Sequence, residues 1–125
     1  MLTFFARSTN GHIYTRTLGS GFKQMPWACT GAPAAALQAA SGVTFFACQG
    51  TNHGLVEASN SGAGWTLASS LGGSLIGGSA AAATTQAPEF LAEGTNKAVW
   101  GRTPLTGWTS LGGVVVGGVG AAALN

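Results

Sequence analysis

The stretch "FFACQGTNHGLVEA" at residues 45–58 decides the fold, because the chain contains two further versions of it. The first version is "FFARSTNGHIYTR" at residues 4–16, and the third is "FLAEGTNKAVWGR" at residues 90–102. Each has an apolar run that begins with Phe, a Thr-Asn pair, a short turn and a second apolar run. The Thr-Asn pairs begin at Thr9, Thr51 and Thr95, so the chain repeats a unit of 42 to 44 residues.

Two further features follow each version. A tryptophan comes first, at Trp27, Trp65 and Trp108, and the last two stand in the related phrases "GWTLASSLGG" and "GWTSLGG". An alanine-rich run comes next, and these runs begin at Ala34, Ala80 and Ala121. Each unit therefore offers four short strand candidates. The turns hold Asn10-Gly11, His53-Gly54 and Lys97-Ala98, and in two of them Gly is the residue that a tight hairpin favours.

Four antiparallel strands in every 40 to 45 residues or so are the period of a β-propeller blade. The sequence therefore predicts an all-β propeller of three four-stranded blades, as one repeat domain over residues 1–125. The blade repeats are approximately 1–41, 42–86 and 87–125, with each inner strand contributed by the neighbouring repeat or chain. Small residues suit the crowded centre of such a ring, so we expect the alanine-rich runs to be the inner strands. A short alanine-rich helix is the alternative for these runs.

The composition excludes several classes of function. Only 6% of the residues are charged, and the five Lys and Arg residues are scattered, so no basic patch for nucleic acid is predicted. The first residues lack the pattern of a signal peptide, and no apolar run is long and unbroken enough for a membrane-spanning helix. We expect a soluble protein. Its location stays open, and release from a cell or attachment to a surface are both compatible with the sequence.

Metal, cofactor and catalytic sites are not predicted. His12 and His53 stand far apart, and the sequence has no Cys-x-x-Cys or His-x-x-x-His spacing. The two cysteines, Cys29 and Cys48, are expected as small buried apolar residues, and a disulfide is the alternative in an oxidising compartment. Three Glu, two His and no Asp are a poor supply of proton-transfer groups, so we expect a protein that is not an enzyme.

The repeated phrases resemble those of the PLL-like propeller lectins, the family of the Photorhabdus fucose-binding lectins. The blades of that family carry a phrase of the form "FARGTDGALWHR", then "GW", then "SLGG", then a strand of small residues. The resemblance covers essentially the whole chain, and it implies glycan binding between blades, with fucose-type sugars as the ligand class.

Two features depart from the family pattern. The family has Asp where Asn10, Asn52 and Asn96 stand, and its propellers carry about seven blades in one chain. Three blades cannot close a ring, because propellers have roughly four to eight. The chain starts after an inner strand and stops on one, so we expect two copies to exchange these strands in a six-bladed homodimer. A fragment of a longer chain, a designed repeat protein and a larger ring are the alternatives.

A sugar site needs aromatic rings for the apolar faces of the sugar and polar groups for its hydroxyls. Arg16 and Arg102 end matching strands, and Tyr14 and Trp100 stand two residues before them. The middle copy has Val56 and Ala58 at these positions, so its site is expected to be weak or absent. The predicted sugar-binding residues are Trp27, Trp65, Trp108, Tyr14, Trp100, Arg16, Arg102, His12 and His53.

Each of these residues also has a structural interpretation. The tryptophans can pack between blades, the arginines can lie in solvent at strand ends, and the histidines can be turn residues. The alternative function is accordingly a propeller that serves as a structural or protein-interaction platform, for example at a cell surface or in a phage particle.

Overall fold

The protein is described from a computed structural model, which defines residues 2–84, 87–103 and 106–121. Within these ranges the chain forms strands and no helices, so no segment there is a helix that could span a membrane. The strands are β1 (Thr3–Arg7), β2 (His12–Thr17), β3 (Lys23–Ala28), β4 (Ala34–Gln38), β5 (Val43–Gln49), β6 (Leu55–Asn60), β7 (Ser69–Gly72), β8 (Leu75–Ala83), β9 (Pro88–Gly94), β10 (Val99–Thr103) and β11 (Gly107–Gly112).

The strands form three antiparallel sheets in chain order. Sheet 1 is β1-β2-β3, sheet 2 is β4-β5-β6-β7 and sheet 3 is β8-β9-β10-β11. The all-β prediction is confirmed, and the helix alternative for the alanine-rich runs is wrong for β4, which begins at Ala34, and for β8. β8 begins at Leu75, five residues before the predicted start at Ala80. Ala121 lies outside any strand, and the rest of its run is outside the described residues.

The three Thr-Asn turns fold in the same way. The residue after each Asn has a positive φ, which is 84° at Gly11, 65° at His53 and 63° at Lys97. The left-handed residue of the middle turn is therefore His53, and not the adjacent Gly that the sequence suggested. This pattern matches a three-residue hairpin loop that closes with a left-handed residue.

Two apolar clusters join neighbouring sheets. The first lies between sheets 1 and 2 and contains Ile13, Met25, Trp27, Cys29, Phe46, Cys48 and Ala58, with Phe5, Val56 and Trp65 packed against it. The second lies between sheets 2 and 3 and contains Ala47, Leu55, Leu75, Phe90 and Ala92, with Phe45, Leu71, Ala81 and Trp108 packed against it. Burial of this apolar area between sheet faces holds the three sheets together.

A disulfide crosses the first cluster. Cys29 directly follows β3 and Cys48 lies in β5, and the two sulfur atoms are bonded. Both residues are buried, as expected, but they are covalently paired rather than free. The bridge links the segment that leaves sheet 1 to the second strand of sheet 2.

Sheet 1 differs from the other two because β1 has a free edge within the described residues. Phe4, Phe46 and Phe90 occupy matching positions, since they pair with Arg16, Ala58 and Arg102. Phe46 and Phe90 are each 1% exposed, and the strands β4 and β8 flank them. Phe4 has no such neighbour and is 46% exposed.

The segment after β11 follows the same backbone path as the segment that leads into β8. The φ angles of Gly112, Gly113 and Gly117 are 77°, 79° and 98°, and those of Gly72, Gly73 and Gly77 are 70°, 90° and 77°. The amide of Val115 donates to the Lys97 carbonyl at 2.9 Å, as the amide of Leu75 donates to the His53 carbonyl at 2.9 Å. Residues 112–117 thus repeat the backbone angles of residues 72–77, where β8 begins.

Candidate functional site

A cavity of about 330 Å³ opens between sheets 2 and 3, where the chain passes from β7 into β8. Its lining residues are Gly73, Ser74, Leu75, Thr95, Asn96, Trp100 and Trp108. Two of the predicted sugar-binding residues, Trp100 and Trp108, therefore meet in one pocket. The volume falls at the lower end of the range of roughly 300–1,000 Å³ that is typical of small-molecule sites.

Trp108 reaches this cavity from β11, the last strand of sheet 3. Its indole Nε1–H donates to the carbonyl oxygen of Leu71 in sheet 2 at 2.9 Å. The ring lies against the backbone of Gly73, where a Cβ atom would stand 3.0 Å from it. Gly73 is therefore needed both for its φ of 90° and for the close approach of the ring.

Trp100 forms the facing part of the wall from β10. Its Nε1–H donates to Asn96 Oδ1 at 3.1 Å, and the same oxygen accepts a bond from the Ala98 amide at 3.1 Å. The ring covers Gly94, where a Cβ atom would stand 2.7 Å from it. One asparagine therefore fixes both the hairpin turn and the orientation of the indole.

The polar groups of the cavity are neutral. Ser74, Thr95 and Asn96 contribute hydroxyl and amide groups, and the Thr95 amide donates to the Ser74 carbonyl at 3.0 Å, which extends the pairing of β8 with β9 by one residue. No titratable side chain belongs to the described lining. Such a pocket can stack an apolar face on an indole and exchange hydrogen bonds with hydroxyls.

Arg102 lies in a separate cavity of about 210 Å³ between the same two sheets, with Glu57, Leu71, Phe90 and Thr103. Burial raises the pKa of the Glu57 carboxyl, and the positive charge of Arg102 partly opposes this rise. The Nε of Arg102 is buried and has no hydrogen-bond partner among the described residues. Arg102 is thus the cross-strand partner of Trp108, but it is not part of the described lining of the first cavity.

Tyr14 and Arg16 lie on sheet 1, around Phe22. The Tyr14 hydroxyl is 3.0 Å from Gln24 Oε1, to which it donates. Arg16 Nε donates to the Ser20 carbonyl at 2.7 Å, and its guanidinium lies 5.4 Å from the centre of the Phe22 ring. Tyr14 and Phe22 line an open trough of about 380 Å³ with Ala6, Arg7 and Ser8.

Trp27 and Trp65 lie in the first apolar cluster rather than in a cavity with Trp100. Trp27 is 8% exposed and stacks on Phe46, with 4.8 Å between the ring centres. Trp65 meets Trp27 edge to face, with 5.3 Å between the ring centres. Packing between sheets accounts for both rings.

The strand register explains why the three tryptophans differ. Gln24, Ser70 and Ser110 hold matching positions opposite Tyr14, Val56 and Trp100. The tryptophans lie at different distances from these three residues. Trp108 stands two residues before Ser110, Trp65 stands five residues before Ser70, and Trp27 stands three residues after Gln24. "GWTLASSLGG" has three residues more than "GWTSLGG", and these move Trp65 off the strand into the cluster.

The two histidines have different surroundings. The Gln49 amide nitrogen lies 2.8 Å from the Leu75 carbonyl, to which it donates, and 3.0 Å from His53 Nδ1. The His53 ring is thus held beside a buried link between sheets 2 and 3. His12 Nδ1 is buried without a hydrogen-bond partner among the described residues. Neither histidine lines the cavity of Trp100 and Trp108.

Sequence reasoning missed part of the cavity wall. Gly73 ends the repeated phrase "GWTLASSLGG", which indicates a strand, Ser74 and Leu75 follow it outside any repeated phrase, and Thr95 and Asn96 mark the repeat without indicating a site. The available signal was the order of the phrases: "SLGG" in one repeat precedes Thr-Asn in the next, and the cavity lies between these two segments.

No protein-family model matches the chain, and a search of curated proteins finds no match. Among solved structures, the chain is similar to a fucose lectin from Kordia zhangzhouensis, which was determined in complex with methyl-fucoside. The TM-score is 0.66 at 12% sequence identity, and the match covers 90% of each chain. The two chains therefore share their fold along almost their whole length, and this fold is one that a fucose lectin uses.

Proposed function

We propose that this protein is a carbohydrate-binding lectin, and that the cavity between sheets 2 and 3 is its main sugar site. The observation that carries the proposal is the pairing of two indole rings, Trp100 and Trp108, with neutral polar groups in a pocket of about 330 Å³. Apolar C–H faces of a sugar stack on aromatic rings, and its hydroxyls exchange bonds with groups such as those of Ser74, Thr95 and Asn96.

A fucose-type sugar suits this lining. Such a deoxy sugar carries a methyl group beside its C–H faces, so it offers more apolar surface to two indoles than a fully hydroxylated hexose does. The absence of charge from the described lining favours a neutral ligand. The likeness in fold to a lectin solved with methyl-fucoside supports the same ligand class. It also supports a binding rather than a catalytic role.

Titration with methyl-fucoside tests the proposal, with methyl-mannoside as the comparison sugar. Trp100→Val is the informative variant, because Val56 stands at the matching position of sheet 2 and the backbone there accepts it. We expect binding to weaken about tenfold or more, which corresponds to roughly 1.4 kcal/mol or more. Leu67→Ala, at an exposed residue outside the cavity, is the control and should bind like the unchanged protein. Equal binding by both variants would contradict the proposal.

We further propose that the three sheets are blades of a β-propeller, and that two copies close a six-bladed ring. Segment 113–121 of each copy would pair with β1 of the other copy as a fourth strand. By the register of Ala35 with Phe46 and of Ala81 with Phe90, Ala121 would lie opposite Phe4. The free edge of β1 and the exposure of Phe4 support this arrangement, which would pair the open edge of β1 in each copy.

Light scattering on Phe4→Lys tests the closure. Phe4 would become as buried as Phe46 and Phe90 in the ring, so a charge at this position should prevent pairing and give single chains. Leu18→Lys, at a residue that is 74% exposed, is the matched control and should keep the mass of two chains. A single-chain mass for the unchanged protein at micromolar concentration would contradict the closure.

A further inference from the structure

The trough on sheet 1 repeats the aromatic half of the sugar cavity. Tyr14 holds the position of Trp100, since they pair with Gln24 and Ser110 at matching places in their sheets. Phe22 stands one residue before β3 and corresponds to Trp108. Trp108 pairs with Arg102 across two strands, and Phe22 contacts Arg16, which is the equivalent arginine of sheet 1. Both Tyr14 and Phe22 line the trough.

The trough lacks the other half of the cavity. Its described lining residues come from the strands of sheet 1 and the two loops that join them, whereas the cavity between sheets 2 and 3 has a second wall from Gly73, Ser74 and Leu75. The residues that match this wall are Gly113, Val114 and Val115, which leave sheet 3 by the same backbone path. Val114 is 81% exposed and faces no other described sheet.

We propose that a second copy of the chain supplies the missing wall, so that a composite sugar site forms between sheet 1 of one protomer and residues 113–115 of the other. This inference rests on the proposed function and on closure by two copies. It gives a reason for the exposure of Phe22, which is 60%. Gly113 of the partner subunit would cover its ring, as Gly73 covers the ring of Trp108.

The composite site also takes a fucose-type sugar, but it differs in strength, and its lining includes the charged side chain of Arg7, whose Nε donates to the Cys29 carbonyl. Tyr and Phe replace two tryptophans, and Val114 of the partner subunit replaces Ser74, so the aromatic surface is smaller and one hydroxyl is lost. The junction between sheets 1 and 2 has Val56 and Ala68 at the aromatic positions and offers no such pair. Each chain therefore carries one stronger site of its own and one weaker site that it shares.

A complementation experiment tests the shared site. Trp100→Val first removes the stronger site, and two variants are then made in that background. One carries Tyr14→Val with Phe22→Ala on sheet 1, and the other carries Val114→Arg on the facing wall. Neither variant alone should bind methyl-fucoside. A refolded mixture should regain one site per mixed dimer. In that dimer the unchanged sheet 1 of the Val114→Arg copy faces the unchanged residues 113–115 of the other copy.

The outcomes separate this inference from the proposed function. Recovery of binding in the mixed dimers supports the composite site, since a purely structural effect of either change would not be reversed by mixing. No recovery in mixed dimers of verified mass would overturn the composite site, as would sugar binding that survives Tyr14→Val with Phe22→Ala. If the unchanged protein does not bind methyl-fucoside, the proposed function fails and the composite site fails with it.

Discussion

At the scale of single residues, the three asparagines of the repeat explain how the chain dispenses with aspartate. Asn10, Asn52 and Asn96 each accept a bond from the backbone amide two residues later, at 3.0 to 3.1 Å. Asp side chains make the same turn, because the acceptor is a carbonyl-type oxygen in both residues. Asparagine at these three positions therefore supports the hairpin turn as aspartate would.

Asn96 has a second partner, so its loss should have a second effect. Asn96→Ala and Asn52→Ala each remove one turn bond, and we expect each to lower the free energy of unfolding by about 1 kcal/mol. Only Asn96→Ala also releases the Trp100 indole, so only this variant should weaken binding of methyl-fucoside. Urea denaturation and sugar titration measure the two effects. Equal binding by both variants would show that the indole needs no anchor.

Glu57 gives a prediction for the dependence of stability on pH. Burial raises its pKa, so the folded protein holds the proton more tightly than the unfolded chain does. The stability linked to this group is full below the ordinary Glu pKa and is lost as the pH rises through the raised one. Glu57→Gln should therefore raise the Tm at about pH 7 and leave it unchanged at about pH 3.

Thermal unfolding of Glu57→Gln, with Glu89→Gln as the control, checks whether the Tm rises at neutral pH. The control removes the same charge from β9, outside the cavity of Glu57 and Arg102. A lower Tm for Glu57→Gln at neutral pH would mean that attraction to Arg102 outweighs the cost of burial.

At the scale of elements, the disulfide replaces a packing contact that sheet 3 makes without it. Cys29 and Leu75 hold matching positions, since their amides donate to the carbonyls of Gly11 and His53. Cys48 matches Ala92, and both Leu75 and Ala92 are buried in the second cluster. The apolar pair Leu75 and Ala92 therefore allows the packing between sheets 2 and 3 without a covalent bond at the positions that match Cys29 and Cys48.

Replacement of the bridge by Cys29→Val with Cys48→Ala should leave the fold intact and weaken it. The bridge spans 19 residues, and a loop of this size contributes about 3 kcal/mol by restricting the unfolded chain. Chemical denaturation measures the loss in the free energy of unfolding in two independent ways. One compares the variant with the unchanged protein, and the other compares the unchanged protein with and without reductant. A loss below about 1 kcal/mol in both would contradict the entropic account.

Much of the arrangement of strands could be predicted from the sequence, because the repeat and its hairpins are local. The start of β4 at Ala34 is an example. The positions of the tryptophans could not be predicted from their repeat alone, because the register depends on which residues pair across β6–β7 and β10–β11. Three extra residues change the role of Trp65 from wall to core. The pairing of Cys29 with Cys48 likewise depends on the packing of sheet 1 on sheet 2.

At the scale of the whole molecule, the three sheets pack in sequence through two apolar clusters, so the outer sides of sheet 1 and of sheet 3 have no partner sheet among the described residues. Phe4, Phe22 and Val114 are exposed on the parts that a further sheet would cover. Closure by a second copy would bury them and place the main cavity twice in one ring. Two or more sites on one particle strengthen attachment to a surface that carries many sugars, even when each site is weak.

The proposed sugar lies between Trp100 and Trp108, whereas Trp27 and Trp65 pack the core between sheets 1 and 2. The chain has four tryptophans, so a proton–nitrogen NMR spectrum contains four indole signals that report these positions separately. On titration with methyl-fucoside, we expect large shifts of the indole signals of Trp100 and Trp108 and small shifts of those of Trp27 and Trp65. Shifts confined to Trp27 and Trp65, or no shift in any indole signal at millimolar sugar, would contradict this expectation.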